Sequence, residues 1–328
     1  MRKPTRSREV GRGERVLPGV WRLRLPLPWP GVPHCNAWAL AAGDGVVLVD
    51  TGMHEPGSMA HLERALDQAG LRIEHVRLVV CTHAHVDHCG QAPPVAERAG
   101  CEVWLHPNHA HHTAADPEQA LLRRIEVARQ SGVPDEPLRR WIEQRRSQGT
   151  GQAGTLRVDR ELVEGVTVSS DLGDWQVVET PGHAPSHVCL YHPERRLLVS
   201  GDHLLGRVSL YFDFGYSPDP VGEFLTSLDK VAGLDARLAL AGHGRPFTDV
   251  PGHIEANRAL VAERLAAVRA ALADGEPKTA YEVARAVYGD AFTDATSAWL
   301  LNKTLCWLTH LERLGEASHA GDSPGRWS

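Results

Sequence analysis

Three histidines and an aspartate lie within six positions of the segment Cys-Thr-His-Ala-His-Val-Asp-His-Cys-Gly, residues 81–90. Neutral imidazoles and carboxylates are the side chains that bind zinc and related divalent cations. Crowding them on one loop contributes little to packing, whereas a cation among them would engage them all. The segment therefore predicts part of a metal site. Its candidate ligands are His83, His85, Asp87 and His88.

Further ligand-type side chains occur where short apolar runs end. We predict these runs to be buried strands, and loops held by a rigid scaffold are where proteins concentrate binding residues. Each run is followed within a few positions by an acidic or imidazole side chain, so strands distant in sequence can deliver ligands to one place. The residues are Asp50 after 46–49, His183 after 177–180, Asp202 after 197–200 and His243 after 238–241.

The elements around these residues alternate between predicted strands and helices, which favours an α/β layered fold. The first strand, at 46–49, precedes a helical pattern at 59–69, and the histidine-rich segment follows a second strand directly. The second strand is predicted at 76–81. Further strands are predicted at 102–105, 162–168, 175–180, 188–191, 197–200 and 238–241, and further helices at 94–99 and 224–234.

Residues 107–149 interrupt this alternation. Two charged amphipathic patterns, at 118–130 and 136–146, indicate a helical hairpin inserted into the layered fold. We interpret this insertion as a lid. Its arginines either bind an anionic substrate or line a solvated face together with neighbouring glutamates. They are Arg123, Arg124, Arg139 and Arg140.

The histidine-rich segment, followed in order by Pro-Gly-His183, Ser-Gly-Asp202 and Gly-His243-Gly, resembles the metallo-β-lactamase superfamily over residues 16–250. The resemblance implies an αββα sandwich as the fold class of a catalytic domain over 16–250. It also implies two divalent metal ions, expected to be zinc, with iron or manganese as alternatives. The implied ligands are His83, His85 and His183 for the first ion, Asp87, His88 and His243 for the second, and Asp202 as the bridge.

The same resemblance implies the chemistry of a metal-dependent hydrolase. Two metal ions in this arrangement share a hydroxide of lowered pKa, which serves as the nucleophile. Asp87 is expected to take part in proton transfer, and Asp50 to orient the ligand loop from below. Tyr211 follows Asp202 closely enough to donate to a developing oxyanion, although packing is the alternative use of its ring.

Two residues narrow the branch of the superfamily. Class B β-lactamases generally have a cysteine where this chain has Asp202, so the chain looks more like the glyoxalase II, lactonase and ribonuclease branches. His85 stands where the diiron flavoproteins have a glutamate, which favours hydrolysis. We therefore predict hydrolysis of a thioester or ester-type bond in a small anionic metabolite. The alternatives are a single-strand-specific endoribonuclease, a lactonase and a mononuclear iron sulfur dioxygenase.

Weaker signals concern other histidines. His187 and His203 lie next to candidate ligands in sequence, and we interpret them as hydrogen-bonded structural residues. A second group of histidines opens the insertion and is interpreted as a solvated loop. The group comprises His106, His109, His111 and His112.

Charge makes nucleic acid an unexpected partner. The 328 residues carry a formal net charge of −6, and residues 251–328 contain ten acidic against eight basic side chains. Three helical patterns in this C-terminal part, at 254–273, 279–288 and from 294, suggest a winged-helix-like unit over 251–315. We expect it to form a wall of the site or the contact of a homodimer.

The ends of the chain are predicted to be disordered. Residues 1–15 belong to a basic arm, since residues 1–24 contain eight Arg or Lys and two Glu, and residues 316–328 form a short tail. The arm lacks the apolar core of a secretory signal, and no apolar run is long enough for a membrane span. A cytoplasmic protein is the expectation.

Overall fold

The computed structural model describes residues 10–29, 31–113, 116–321 and 323–328, with the backbone alone at position 111. A first sheet begins with an antiparallel meander, β1 to β4, and continues as parallel strands, β4 to β7, in sequential order. Its strands are β1 (Arg12–Leu17), β2 (Val20–Trp29), β3 (Val32–Ala42), β4 (Gly45–Val49), β5 (Val76–Val80), β6 (Glu102–Leu105) and β7 (Arg160–Glu161).

A second sheet is antiparallel except for its last pair, β11 with β12, which is parallel. The crossover between these two strands contains a helix, as a parallel connection usually does. The strands are β8 (Thr167–Ser170), β9 (Gly173–Glu179), β10 (Val188–His192), β11 (Leu197–Gly201) and β12 (Leu238–Ala241).

Helices cover the outer faces of both sheets, so the αββα prediction is confirmed. Helices α1 and α3 pack on the first sheet, and α7 to α10 form one apolar cluster with the second sheet. No described helix is long and apolar enough to cross a bilayer. The helices are α1 (Ser58–Gln68), α2 (Val86–Cys89), α3 (Ala92–Ala99), α4 (Ala110–Thr113), α5 (Pro117–Gln130), α6 (Asp135–Ser147), α7 (Pro220–Ala232), α8 (Val250–Leu272), α9 (Ala280–Tyr288) and α10 (Ser297–Arg313).

The apolar layer between the sheets fixes their relative position. Trp38 of the first sheet and Trp175 of the second are both at most 1% exposed and belong to one cluster of contacting side chains. Each such ring removes on the order of 150–250 Å² from water. The edge at which β4, β5, β9, β11 and β12 end is thereby held rigid.

The predicted helical insertion at 107–149 is present as α4, α5 and α6. Asp116 caps α5 by accepting from the backbone N–H of Glu118, and Gly132 makes the turn to α6 with a left-handed φ of 79°. The apolar sides of α5 and α6 bury Ile125 and Leu138, while their arginines are exposed except for Arg145, which is partly buried.

The predicted strand at 162–168 is wrong. Residues 160–161 pair with β6, and residues 167–170 form β8 in the other sheet. Between them Val166 N–H donates to the carbonyl of Val163, and Gly165 adopts a φ of 90°, which favours glycine. The turn moves the chain from one sheet to the other.

The described residues of the C-terminal tail, 316–321 and 323–328, are ordered, contrary to the sequence prediction for 316–328. Strands β13 (His319–Ala320) and β14 (Arg326–Trp327) pair with each other, and Trp327 exchanges two backbone hydrogen bonds with Lys278, at 2.7 and 2.9 Å. The Trp327 ring is 5% exposed and joins the apolar cluster of α8 to α10. Burial of one aromatic side chain provides the driving force for this order. That cluster extends to the second sheet, so the C-terminal helices share the core of the 16–250 part.

The predicted boundary of the N-terminal arm is also wrong. Residues 12–15 belong to β1, which pairs with β2, and residues 1–9 lie outside the described residues. β1 runs close over α1: a Cβ at Gly11 would lie 1.9 Å from the His61 carbonyl oxygen, and one at Gly13 would lie 2.0 Å from that of Ala65. The two glycines allow this close approach.

Candidate metal centre

The strand ends deliver the candidate ligands to one edge of the sandwich. The loop after β5 carries His83 and His85 and continues into α2, whose first turn contains Asp87 and His88. Because β4, β5, β9, β11 and β12 end at neighbouring positions, the loops after them converge. The second sheet contributes His183 after β9, Asp202 after β11 and His243 after β12.

Three imidazoles form the first group. His85 Nδ1 lies 3.0 Å from His83 Nε2 and 2.9 Å from His183 Nε2. The ligand atoms of all three residues lie within 4.8 Å of one another, a spacing that suits one shared cation. Burial lowers the pKa of His83, and it lowers the pKa of His183 to about 4, so both imidazoles are neutral and able to bind a metal.

Carboxylates and imidazoles form the second group. His243 Nε2 lies 3.2 Å from Asp87 Oδ2 and 3.2 Å from Asp202 Oδ2, and His88 Nε2 lies 3.5 Å from Asp87 Oδ2. The same Asp202 oxygen is 3.6 Å from His183 Nε2 in the first group. Asp202 thus stands between the two groups, where a bridging ligand is expected.

The donor set fits divalent cations. His88 Nε2 and Asp202 Oδ1 are buried, 3.4 Å apart, and neither makes a hydrogen bond within the described residues. Burial acts to lower the pKa of both His88 and His243. The negative charges of Asp202 and Asp87 outweigh it and raise both pKa values, that of His243 to about 10. Asp50 also raises the pKa of His88. This negative potential draws protons onto the imidazoles and would equally favour bound cations.

Asp50 supports the second group from below. Its Oδ2 accepts from His88 Nδ1 at 2.8 Å and from Thr82 Oγ1 at 2.9 Å, while its Oδ1 accepts from the Thr82 N–H at 2.8 Å. The carboxylate fixes the proton on Nδ1 of His88 and leaves Nε2 directed at the site. Asp50 is 1% exposed and does not line the cavity above the ligands. These contacts fit the expected role of Asp50 as a residue that orients a ligand.

Asp213 orients the His85 ring, as Asp50 orients the His88 ring. Its Oδ2 accepts from His85 Nε2 at 2.7 Å and lies 3.3 Å from His112 Nε2, with the carboxylate 5% exposed. His85, His112 and Asp213 also meet the spacing of a metal-binding group. Sequence analysis missed Asp213 and interpreted His112 as part of a solvated loop, because the fold alone brings α4 and the loop after Asp202 together.

The loop that carries His243 is held by the first sheet. Asn36 Nδ2 donates to the carbonyls of Ala241 and Gly244 at 2.8 and 3.0 Å, and the buried Arg22 donates to the Asn36 amide oxygen at 2.9 Å. The backbone N–H of Asn36 also donates to the carbonyl of Gly242 at 2.7 Å. This clamp fixes the position of His243 relative to β3.

Replacement of Asn36 by alanine tests this clamp. The variant leaves Arg22 Nε buried without its acceptor, which costs on the order of 1–3 kcal/mol of unfolding free energy. We expect urea unfolding of chelator-treated protein to show that loss, and zinc to dissociate faster from the untreated variant. Gln130→Ala, which removes an exposed amide on α5, serves as the control and should match the wild type. Equal stability of both variants would contradict the clamp.

Tyr211 and the histidines beside the ligands differ in their surroundings. The Tyr211 ring lies 5.8 Å from the His85 ring and 5.7 Å from the His183 ring, and its hydroxyl accepts from Asn302 Nδ2 at 3.4 Å. Burial, and then Asp213, raise the pKa of Tyr211, so the hydroxyl keeps its proton. His187 is hydrogen-bonded as expected, since it accepts from the Asp202 N–H at 3.0 Å. His203 is buried, but neither of its ring nitrogens makes a hydrogen bond within the described residues, so the hydrogen-bonded interpretation is wrong for His203.

A cavity of about 1370 Å³ opens above the ligands. Its floor contains the metal-binding groups, and its walls come from the insertion, from the tip of the first sheet, from the loop after β11 and from α9 and α10. Three partly buried tryptophans line it, Trp29, Trp141 and Trp299, and the Trp29 and Trp299 rings meet edge to face at 6.2 Å.

Comparison with known proteins agrees with this geometry. The family model of the metallo-beta-lactamase superfamily matches residues 30–243. The "Probable metallo-hydrolase YqjP" of Bacillus subtilis (strain 168) is 26% identical over 82% of this chain and 85% of its own length. The "Lactamase-like protein nscB" of Neosartorya fischeri is 26% identical over 87% of this chain and 77% of its own.

Solved structures extend the similarity to the C-terminal helices. A metallo-beta-lactamase family protein from Thermus thermophilus superimposes with a TM-score of 0.80 at 29% identity, covering 95% of this chain and 99% of its own. A beta-lactamase domain protein from Burkholderia ambifaria does so with a TM-score of 0.82 at 28% identity, over 96% and 94%.

The αββα layers and the ligand-rich edge define a metal-dependent hydrolase. The chain belongs to the metallo-beta-lactamase superfamily. The assignment of each side chain to a first or second metal ion stays a prediction.

Proposed function

We propose that this protein hydrolyses a thioester or ester-type bond in an anionic substrate with an apolar body, using two divalent metal ions, of which zinc is the first candidate. This places it near the glyoxalase II and lactonase branches of the superfamily. The observation that carries the proposal is the cavity above the ligands, which combines aromatic walls with basic side chains.

The basic side chains have few acidic partners. Arg124 of α5 and Arg145 of α6 line the cavity, and neither forms an ion pair with a described carboxylate. Arg145 Nη1 donates to the amide oxygen of Gln148 at 3.1 Å. Burial, and then the charge of Arg124, lower the pKa of Arg145, which marks a locally unbalanced positive charge. A carboxylate or phosphate on the substrate would balance it.

The other arginines of the insertion differ in their surroundings. Arg123 lies over the Tyr216 ring at 4.4 Å and donates to the carbonyl of Gly215. Arg139 and Arg140 do not line the cavity: both pair with Glu136, and Arg140 also pairs with Asp294 at 3.3 Å. The cavity-lining arginines are therefore the ones proposed to meet the anionic substrate.

The residues at the cavity floor have different roles in the proposed hydrolysis. Divalent ions supply Lewis acidity and lower the pKa of water when bound. Asp87 Oδ2, next to His243 and His88, is placed to accept a proton from the attacking water. The Tyr211 hydroxyl lines the cavity beside His85 and His183, where it can donate to the developing oxyanion. The aromatic walls exclude bulk water from the bond that is cleaved.

Metal content and a substrate panel test the proposal. Protein purified without added metal is expected to contain about two zinc ions per chain by mass spectrometry, and to cleave acyl-coenzyme A or S-acylglutathione thioesters. Cleavage of single-stranded RNA without thioester turnover would assign the ribonuclease function instead. One iron per chain, with oxygen uptake on a persulfide, would assign the sulfur dioxygenase function.

Arg145→Gln should weaken substrate binding more than it slows chemistry. Loss of one charge-assisted contact to the anionic group is expected to raise KM for an acyl-coenzyme A substrate by roughly 10-fold, with kcat changed less than threefold. Steady-state kinetics measure both values. Arg139→Gln, on the same helix but outside the cavity, is the matched control and should leave KM unchanged. If the wild type, Arg145→Gln and Arg139→Gln have the same KM, Arg145 does not bind the substrate.

Lid motion of the insertion, the winged-helix character of α8 to α10, a homodimer and a cytoplasmic location stay predictions. The insertion covers the cavity through residues of both its long helices, among them Val127 and Trp141. α10 contributes Trp299 and Asn302 to the opposite wall, which fits the expected role of the C-terminal helices as part of the site.

A further inference from the structure

A second, smaller cavity lies among the C-terminal helices. It measures about 320 Å³ and is lined by Arg264 of α8, Tyr288 of α9 and Lys303 of α10, together with the chain segment 208–210. Lys303 and the segment 208–210 also line the large cavity, so the two cavities share a wall. None of the candidate metal ligands belongs to the smaller one.

Two cationic groups in this cavity approach one aromatic ring. The Arg264 guanidinium carbon lies 5.6 Å from the centroid of the Tyr288 ring, and Lys303 Nζ lies 5.8 Å from it. The ring is held in place because Trp307 Nε1 donates to the Tyr288 hydroxyl at 3.2 Å. The ring face attracts both cations, which brings two like charges into one small space.

The positive charge of this cavity is not balanced from within. Lys303 has no carboxylate partner among the residues that the structure describes, and Arg264 pairs at 3.5 Å with Glu263, its sequence neighbour, whose side chain is exposed. Burial, and then the charge of Arg264, lower the pKa of Lys303 to about 8. A partly buried ammonium beside a guanidinium is costly unless an anion accompanies them.

We propose that this cavity binds an oxyanion, a phosphate or carboxylate group, between Arg264 and Lys303. A guanidinium presents a planar fork of donors that matches such a group, and an ammonium adds a third direction of donation. The site stands on these residues alone and does not depend on the reaction proposed above. The oxyanion is either a free anion or the charged end of a substrate that extends from the large cavity past Lys303.

An oxyanion bound at this site would affect the metal centre through α10. Asn302, the neighbour of Lys303, donates to the carbonyl of Phe212 at 2.5 Å and to the hydroxyl of Tyr211 at 3.4 Å. The wall segment 208–210 leads directly into Tyr211. An anion that orders Lys303 and this segment therefore acts next to the residue placed to donate to the oxyanion.

Phosphate binding to the full chain, purified with its metal, tests the site. Calorimetric titration with inorganic phosphate is expected to show an isotherm whose affinity falls at least about 10-fold in Lys303→Gln and in Arg264→Gln. Lys303→Arg, which keeps the charge, should retain affinity. Arg258→Gln is the control on α8, because Arg258 pairs with Asp229 and Glu255 outside both cavities. Melting curves verify that each variant is folded.

Two results would overturn the proposal. The first is an absence of phosphate binding to the wild type. The second is equal phosphate affinity in the wild type, Lys303→Gln and Arg264→Gln, since phosphate bound at the metal centre would not respond to either change. Neither result depends on turnover, so failure of this site is separable from failure of the proposed reaction.

A comparison of two thioester substrates, which rests on the proposed function, identifies the source of the oxyanion. If the group belongs to the substrate, Lys303→Gln raises KM for an acyl-coenzyme A but not for the matching acyl-N-acetylcysteamine, which lacks phosphate. If it is a free anion, added phosphate changes turnover of both thioesters equally in the wild type and leaves Lys303→Gln unaffected. Either pattern supports the site.

Discussion

Asp87→Ala should abolish turnover while the fold remains intact. The variant removes a carboxylate whose Oδ2 lies 3.2 Å from His243 Nε2 and 3.5 Å from His88 Nε2, so the second group loses one of its charged donors. Loss of a proton-transfer group alone costs about 10²–10⁴-fold in kcat. Metal analysis should show lower occupancy, near one ion per chain, and added zinc should not restore the rate.

The fold of this variant is expected to survive because the removed charge is itself costly to bury. Asp87 is 4% exposed, and burial acts to raise the pKa of its carboxyl, although His88 and then His243 lower it. Circular dichroism and a melting curve compare the variant with Asp67→Ala, an exposed position on α1 that should behave as wild type. Wild-type kcat in Asp87→Ala would refute the mechanism.

The ligand-rich edge was predictable because its signals are local. Each ligand follows a short apolar run, and strands β4, β5, β9, β11 and β12 all occur within a residue or two of their predicted positions. α9 likewise begins where the helical pattern at 279–288 predicts, and Thr279 caps it by accepting from the Glu282 N–H. Patterns that depend on a few consecutive residues survive folding with little change.

Apart from Asp50, the residues that support the ligands were not predictable, because long-range contacts define them. Asp213 is 128 positions from His85, and Asn36 is 208 positions from Gly244, whose carbonyl it binds. In sequence, Arg22 is one charged residue of an alternating strand; only the approach of β2 to the His243 loop buries it. The ordered tail has the same cause, because Trp327 gains its partners from α8 to α10.

Asp50→Asn should weaken the second metal site without removing a ligand. Both Asp50 oxygens accept hydrogen bonds, from the Thr82 N–H, the Thr82 hydroxyl and His88 Nδ1. An asparagine amide must turn its NH₂ toward one of these donors, so one buried hydrogen bond is lost. The backbone is unaffected, since Asp50 has a φ of 63°, a conformation that asparagine also adopts readily.

The expected effect is a 10- to 100-fold loss of zinc affinity at the second site, the usual result of removing a group that orients a histidine ligand. Competition with a chromogenic chelator measures it. Because the variant keeps Asp87, saturating zinc should restore most of kcat, whereas it is not expected to do so in Asp87→Ala. Asp44→Asn, whose carboxylate pairs with Arg77 at the surface, is the control and should bind zinc as the wild type does. A kcat that stays low at saturating zinc would mean that Asp50 acts in the chemical step, and unchanged affinity would mean that His88 needs no support.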